Sequence, residues 1–241
     1  MYTWGYNRDG QLGIGSSDYN AHSTPIKISL PNGVKPTQIA GGNNYSMVIG
    51  DDGNLYTWGY NGSGQLGDGT TITKTTPTKI SLSNGIKPKI IEGGYSHAMM
   101  IGSDEELYTW GDNYYGQLGD STTTNKKTPT KITLASNVKV KQVDSGENFT
   151  IALGSNGELY SWGRNQYGEL GDGTNTQRNS PVKVTLASGI KPTQIACGYY
   201  FAMAIGSDDN LYAWGWNENG NLGDETSTSK SIPTKINFSF K

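Results

Sequence analysis

The sequence predicts an all-β protein, a β-propeller of four-stranded antiparallel blades with about four and a half blades present. Three observations carry this prediction. A Trp-Gly pair recurs at Trp4, Trp58, Trp110, Trp162 and Trp214, with successive spacings of 54, 52, 52 and 52 residues, and a fixed period near 50 marks a repeat architecture. Turn signals cut each repeat into four short segments of strand-forming residues. Helical periodicity is absent, and 34 glycines in a chain that is only 33% hydrophobic suit many short strands joined by turns.

The chain reads as a single repeat domain over residues 1–241. Residues 1–34 supply half a repeat: a Tyr-x-Trp-Gly strand, a long loop, and the strand opening at Pro25. Met1 stands where Leu55, Leu107, Leu159 and Leu211 stand, so the sequence is expected to begin inside a strand. Complete repeats follow over 35–86, 87–138, 139–190 and 191–241. In the third of these the expected strands are Val140–Val143, Phe149–Leu153, Glu158–Trp162 and Pro181–Leu186, separated by Ser145-Gly146-Glu147, Ser155-Asn156-Gly157 and the long 163–180 loop. Asn156-Gly157 and Asp52-Gly53 are short-hairpin signals in equivalent positions.

Comparing copies separates what the architecture demands from what it leaves free. Asn7, Asn61, Asn113, Asn165 and Asn217 never change, and neither does Gly-x-Leu-Gly at Gly10–Gly13, Gly64–Gly67, Gly116–Gly119, Gly168–Gly171 and Gly220–Gly223. Such residues close turns and permit close backbone approach, so a structural role is expected. Asp68, Asp120, Asp172 and Asp224 follow as turn formers. Pro25, Pro77, Pro129, Pro181 and Pro233 are expected to open the outermost strand, an edge where a missing donor is tolerated. Lys27, Lys79, Lys131, Lys183 and Lys235, two residues on, discourage edge-to-edge pairing.

Gly94-Tyr-Ser-His-Ala-Met-Met-Ile101, followed by Leu107-Tyr-Thr-Trp-Gly111 and Gly116-Gln-Leu-Gly119, resembles the repeat of the regulator of chromosome condensation family. The resemblance covers all 241 residues. It implies a seven-bladed propeller, of which this chain supplies an open or partial arc, or one that closes by pairing with a second copy as a homodimer. The family places His at the start of the second strand; here Tyr45, His97, Phe149 and Phe201 occupy that slot, so His97 is expected to be a packing residue.

Net charge of −2 offers no basic footprint for nucleic acid and no polybasic membrane patch. No apolar run spans a bilayer and no signal peptide is present, so the chain is expected to be soluble; a secreted or cell-surface location is favoured if the parent protein is bacterial. The single Cys197 occupies a small-residue slot filled elsewhere by Gly41, Gly93 and Ser145. His22 and His97 stand alone, no calcium loop or phosphate loop is spelled out, and no acid–base pair or nucleophile motif occurs. No catalytic residue, metal or cofactor is expected, and the protein is read as a non-enzyme.

In an antiparallel meander alternate connections emerge on the same side, so the Gly-Gly-x-x turns share one end with the long loops after Trp-Gly. The scaffold positions there are constant, while the others vary and are rich in large aromatics. Candidate partner-binding residues from the loops are Tyr6, Tyr60, Tyr114, Tyr115, Arg164, Tyr167 and Trp216, and from the turns Tyr95, Tyr199 and Tyr200. Tyr, Trp and Arg dominate protein-binding hot spots. The alternative is that these tyrosines merely cover a glycine-rich surface between blades. The function expected is a protein-interaction scaffold binding a protein partner through this face. The family resemblance adds guanine-nucleotide exchange on a small GTPase, or inhibition of an enzyme such as a β-lactamase. The light sensing of a plant member needs a tight tryptophan cluster, whereas five of the six tryptophans here are the once-per-repeat Trp.

Overall fold

The computed structural model describes residues 1–237; the last four residues of the repeat expected over 191–241 lie outside the described residues. Strands β1 (Tyr2–Asn7) and β2 (Asp18–Lys27) form a two-stranded antiparallel sheet. Four four-stranded sheets follow, each a meander in chain order. The first is β3 (Pro36–Gly41), β4 (Tyr45–Gly50), β5 (Leu55–Gly59) and β6 (Lys74–Ile80). The second is β7 (Pro88–Gly93), β8 (His97–Gly102), β9 (Leu107–Gly111) and β10 (Lys126–Ile132). The third is β11 (Val140–Ser145), β12 (Phe149–Gly154), β13 (Leu159–Gly163) and β14 (Arg178–Val184). The fourth is β15 (Pro192–Cys197), β16 (Phe201–Gly206), β17 (Leu211–Gly215) and β18 (Lys230–Lys235).

Two compact units are distinguished: residues 1–113 with 124–131, and residues 114–123 with those from 132 onward. In each, the core lies between successive sheets. In the first unit Tyr45, Met47, Ile49 and Leu55 pack with Ile91, Ala98, Met100 and Trp110. In the second, Phe149, Ile151 and Leu159 pack with Ile195, Ala204 and Trp214.

One contact recurs at every such junction. The indole of Trp58 donates to Gln11 O (2.9 Å), that of Trp110 to Gln65 O (2.8 Å), that of Trp162 to Gln117 O (2.9 Å) and that of Trp214 to Glu169 O (3.0 Å). The accepting carbonyl belongs each time to the Gly-x-Leu-Gly loop 45 or 47 residues earlier. The final glycine of that loop lies against the ring: a Cβ on Gly67, at φ +74, would stand 2.8 Å from Trp110 Nε1. All four tryptophans are fully buried, whereas Trp4, with no such loop against it among the described residues, is 61% exposed. Burying one indole contributes about 4–6 kcal/mol of transfer free energy, and its hydrogen bond about 1 kcal/mol more.

The invariant asparagines build the loops that the tryptophans engage. Buried Asn61 accepts from Leu66 N through Oδ1 (3.0 Å), while its Nδ2 reaches Asp68 Oδ1, Thr70 O and Ile72 O. Asp68 Oδ1 in turn accepts from the Thr70 amide and hydroxyl. Asn165 with Asp172 and Asn217 with Asp224 repeat the arrangement. One side chain thus replaces the ladder that this loop lacks.

The Gly-Gly turns have a different cause. The residue that opens each second strand lays its ring on the second glycine: a Cβ on Gly42 would meet the Tyr45 ring at 2.0 Å, and one on Gly94 would meet His97 at 2.2 Å. His97 is therefore a packing residue, and burial pushes its imidazole pKa down to about 4.

The two ends of the sheets sort as the meander requires. At one end Asp51 N donates to Lys35 O, Ser103 N to Lys87 O and Ser207 N to Lys191 O, joining the Asn-Gly-type turns to the short hairpins. At the other end lie the Gly-Gly turns and the long loops.

The outermost strand differs from the sequence expectation. It begins at Lys74, Lys126, Arg178 or Lys230, three residues before the proline rather than at it. The reason is a bulge: Ser161 pairs with Val182 but Gly163 with Arg178, so Pro181 sits in the irregular stretch where no ladder donor is needed. The edge lysines are partly engaged with the neighbouring strand, Lys183 with Glu158 at 2.6 Å and Lys131 with Glu106 at 3.3 Å.

Two measurements check this account. Gly67→Ala should destabilise the chain by at least about 2 kcal/mol in chemical denaturation, through both positive φ and the indole clash. Gly85→Ala, at φ +69 with nothing within 4 Å, should cost about 1 kcal/mol. The second concerns pH. With His97 depressed in the folded state, its stabilising effect is complete above pH 6.5 and is lost as pH falls toward 4, so wild type should lose about 2 kcal/mol between pH 7 and pH 5 from this group. His97→Phe, the residue at Phe149 and Phe201, should remove that component.

Candidate functional site

Each long loop is fastened to the Gly-Gly turn of its own sheet by a backbone bond. Tyr60 N donates to Asn44 O (2.8 Å), Asp112 N to Ser96 O (2.9 Å), Arg164 N to Asn148 O (2.9 Å) and Trp216 N to Tyr200 O (2.9 Å). Neighbouring turns are also joined, Asn43 N to Tyr95 O (3.1 Å) and Glu147 N to Tyr199 O (2.9 Å). Within each unit the variable side chains therefore stand on hydrogen-bonded turns.

In the second unit six of the ten candidates form two groups. Tyr114 and Tyr115 meet edge to face at 4.9 Å, and Tyr114 is 70% exposed. The larger group joins Tyr167 to Tyr200 (5.5 Å), both rings to Trp216 (6.3 and 6.2 Å), and Tyr200 to Tyr199 (4.5 Å). Beneath it lies Arg164, its Cζ 4.9 Å from the Tyr167 ring and 4.4 Å from the Tyr200 ring. The guanidinium donates to Glu169 Oε1 (3.1 Å) and to Gln166 Oε1 (2.7 Å).

Arg164 is only 8% exposed, so it props the aromatic rings from below rather than offering its charge to solvent. Cation–π stacking and a buried partner both favour Arg over Lys here. Burial raises the Glu169 carboxyl above its ordinary value, against the opposing pull of backbone donors and Arg164. Burial and the Glu147 carboxylate push the Tyr200 hydroxyl up to about 12, and the Tyr199 hydroxyl donates to Glu147 at 2.5 Å. The Tyr200 phenol is therefore neutral at physiological pH.

Glu169, Gln166 and Glu147 were not among the candidate partner-binding residues read from the sequence. A signal for the first existed: where other copies carry Gln11, Gln65 and Gln117, this copy carries Glu169, and the same copy carries Arg164 where two others carry Tyr6 and Tyr60. The two departures belong together.

In the first unit Tyr60 and Tyr95 are exposed and line a cavity of about 310 Å³ together with Asn44 and Gln65. Tyr6 is exposed on β1. Cys197 packs partly buried against the core of the second unit, and burial pushes its thiol pKa well up, the opposite of an activated nucleophile. Among the described residues no group of three or more His, Cys, Asp or Glu is placed to hold a metal ion, and no helix is long and apolar enough to cross a membrane.

Successive four-stranded meanders, locked indole to loop, define a partial β-propeller. The model of the RCC1-like domain matches residues 1–241, and the chain belongs to that family. It is 33% identical over 98% of its length to the ultraviolet-B receptor UVR8 of Arabidopsis thaliana, and 30% identical over 98% to the E3 ubiquitin-protein ligase HERC2 of Homo sapiens. It spans 53% of the first and 5% of the second, about half the length of one relative and a small part of the other. The crystal structure of Prp20p from Saccharomyces cerevisiae superposes with a TM-score of 0.85 at 24% identity, over 99% of this chain and 59% of that one.

The paired departure yields a test. Arg164→Tyr leaves the Glu169 carboxylate buried without its cation and should cost about 3–5 kcal/mol. Adding Glu169→Gln recreates the Tyr60 and Gln65 combination and should recover most of the loss, read as melting temperature.

Proposed function

We propose that this chain is a non-enzymatic protein-interaction scaffold whose contact surface is the loop end of its blades. Its centre is the second unit's group of Tyr167, Tyr199, Tyr200 and Trp216 propped by Arg164; Tyr114 and Tyr115, and Tyr6, Tyr60 and Tyr95 of the first unit, contribute further contacts. The observation that carries this reading is the Arg164 stack. A buried ion pair spent on fixing partly exposed rings pre-organises a surface, which lowers the entropy cost of binding. Aromatic and arginine side chains are also those that dominate interface energetics.

The Prp20p structure was reported together with its binding properties to Gsp1p and histones, and a second structure of that protein holds it bound to Kap60. These support a protein partner for the same fold. Guanine-nucleotide exchange on a small GTPase and inhibition of an enzyme are specific forms of this reading: the first predicts accelerated release of labelled nucleotide, the second tight binding that abolishes the target's turnover.

The test is affinity capture with wild type and with Trp216→Ala and Tyr200→Ala, followed by titration of whatever wild type retains. Each variant should weaken binding by about 2 kcal/mol, or roughly thirtyfold, and Trp216→Ala should do so with an unchanged melting temperature. Equal retention by all three proteins would move the contact surface elsewhere.

A further inference from the structure

Copies of the Gly-x-Leu-Gly loop differ in how the side chain after the first glycine is hydrogen-bonded. The residue after the first glycine uses its side-chain oxygen alike in four copies, accepting from Asp9 N, Ser63 N, Tyr115 N or Tyr167 N. In two copies the amide nitrogen is closed by an asparagine: Gln11 Nε2 donates to Asn44 Oδ1 (3.2 Å) and Gln117 Nε2 to Asn148 Oδ1 (3.4 Å). At Glu169 no such donor exists, and Arg164 supplies the counterpart. At Gln65 the residue corresponding to Asn44 is the shorter Ser96, and Nε2 donates to no protein group among the described residues.

Gln65 is 1% exposed and lines the cavity of about 310 Å³ in the first unit. The protein leaves the donor capacity of this amide nitrogen unused where Gln65 lines the cavity, so the position suits an occupant that brings an oxygen. The volume equals that of about ten waters at roughly 30 Å³ each, room for a ligand of about a dozen non-hydrogen atoms. Asn43, Asn44, Ser96 and the partly exposed Tyr60 and Tyr95 line it as well, and no aliphatic side chain does. Ligand sites for apolar molecules are lined mostly by apolar groups; this one is lined by amides, hydroxyls and two rings. Arg8 and Asp9 also line it, and their opposite charges favour a neutral occupant over an anion or a cation.

We propose that this cavity binds a single neutral sugar unit, with a hydroxyl or acetamido oxygen seated on Gln65 Nε2 and the C–H faces of the ring against Tyr60 or Tyr95. Planar amides serve as paired donors and acceptors for vicinal hydroxyls, and aromatic rings cover the apolar face of a pyranose. The site is lined by residues of the first unit, while the protein-contact test reads Trp216 and Tyr200 of the second, so the two experiments can fail separately.

The experiment is saturation-transfer NMR and titration of the 241-residue chain with N-acetylglucosamine, methyl glucoside, methyl mannoside and methyl galactoside. At least one should bind in the millimolar range. Ser96→Asn, which restores the closure seen at Gln11 and Gln117, should weaken that binding at least about tenfold, one lost hydrogen bond's worth, while Trp216→Ala leaves it unchanged. Should Ser96→Asn lower the melting temperature, Tyr60→Ala, an exposed ring, serves in its place with the same expected loss. Failure of all four sugars to bind, or binding indifferent to these variants, overturns the proposal.

Discussion

The structure depends on one contact, the indole of each repeat seated on the Gly-x-Leu-Gly loop of the repeat before it. A four-stranded antiparallel sheet of short strands has two faces to cover and cannot cover them alone. The tryptophan settles how the next sheet is placed, because it supplies the largest buried area at the junction and also a single directional hydrogen bond to a single carbonyl. The glycine beneath Trp110 is fixed by that ring, the leucine beside it is fully buried, and Asn61 is fixed by the need to hold the loop in the shape that presents the carbonyl. The invariant residues of the repeat are thus parts of one device rather than separate turn signals.

Because the device is completed by backbone carbonyls and buried side chains, the loop end is released from structural duty. Tyr6, Tyr60, Asp112, Arg164 and Trp216 occupy one backbone position whose amide, in the four complete sheets, is bonded to the turn of the same sheet whatever side chain it carries. Variation there costs the fold little, except where a charge is drawn inward. Arg164 shows the cost: its burial required Glu169 in the next invariant motif and two aromatic rings above it.

The strands, their grouping into sheets and the assignment of loops to ends were legible in the sequence because five copies average away local ambiguity. Asn156-Gly157 and Asp52-Gly53 named their hairpins through positive φ at glycine. What was not legible followed from a recurring backbone irregularity and from single-copy changes. Pro181 suggested a strand start, but a bulge, invisible to composition, let the strand run three residues further back. Arg164 read as exposed because long charged side chains usually are, and only the compensating change at Glu169 marks it as buried. The open amide of Gln65 depends on the reach of Ser96 compared with Asn44, a difference of one carbonyl group that no periodicity records.

Each four-stranded sheet carries a tryptophan that reaches back to the loop of the sheet before it, and these four tryptophans recur every 52 residues. A gene segment of that length, duplicated from any starting codon, would insert both halves of a working joint, since the break points need not respect the boundaries between sheets. The 54-residue first interval shows the complementary freedom: two residues accumulated between Gly13 and Pro25 without disturbing the joint between Gln11 and Trp58.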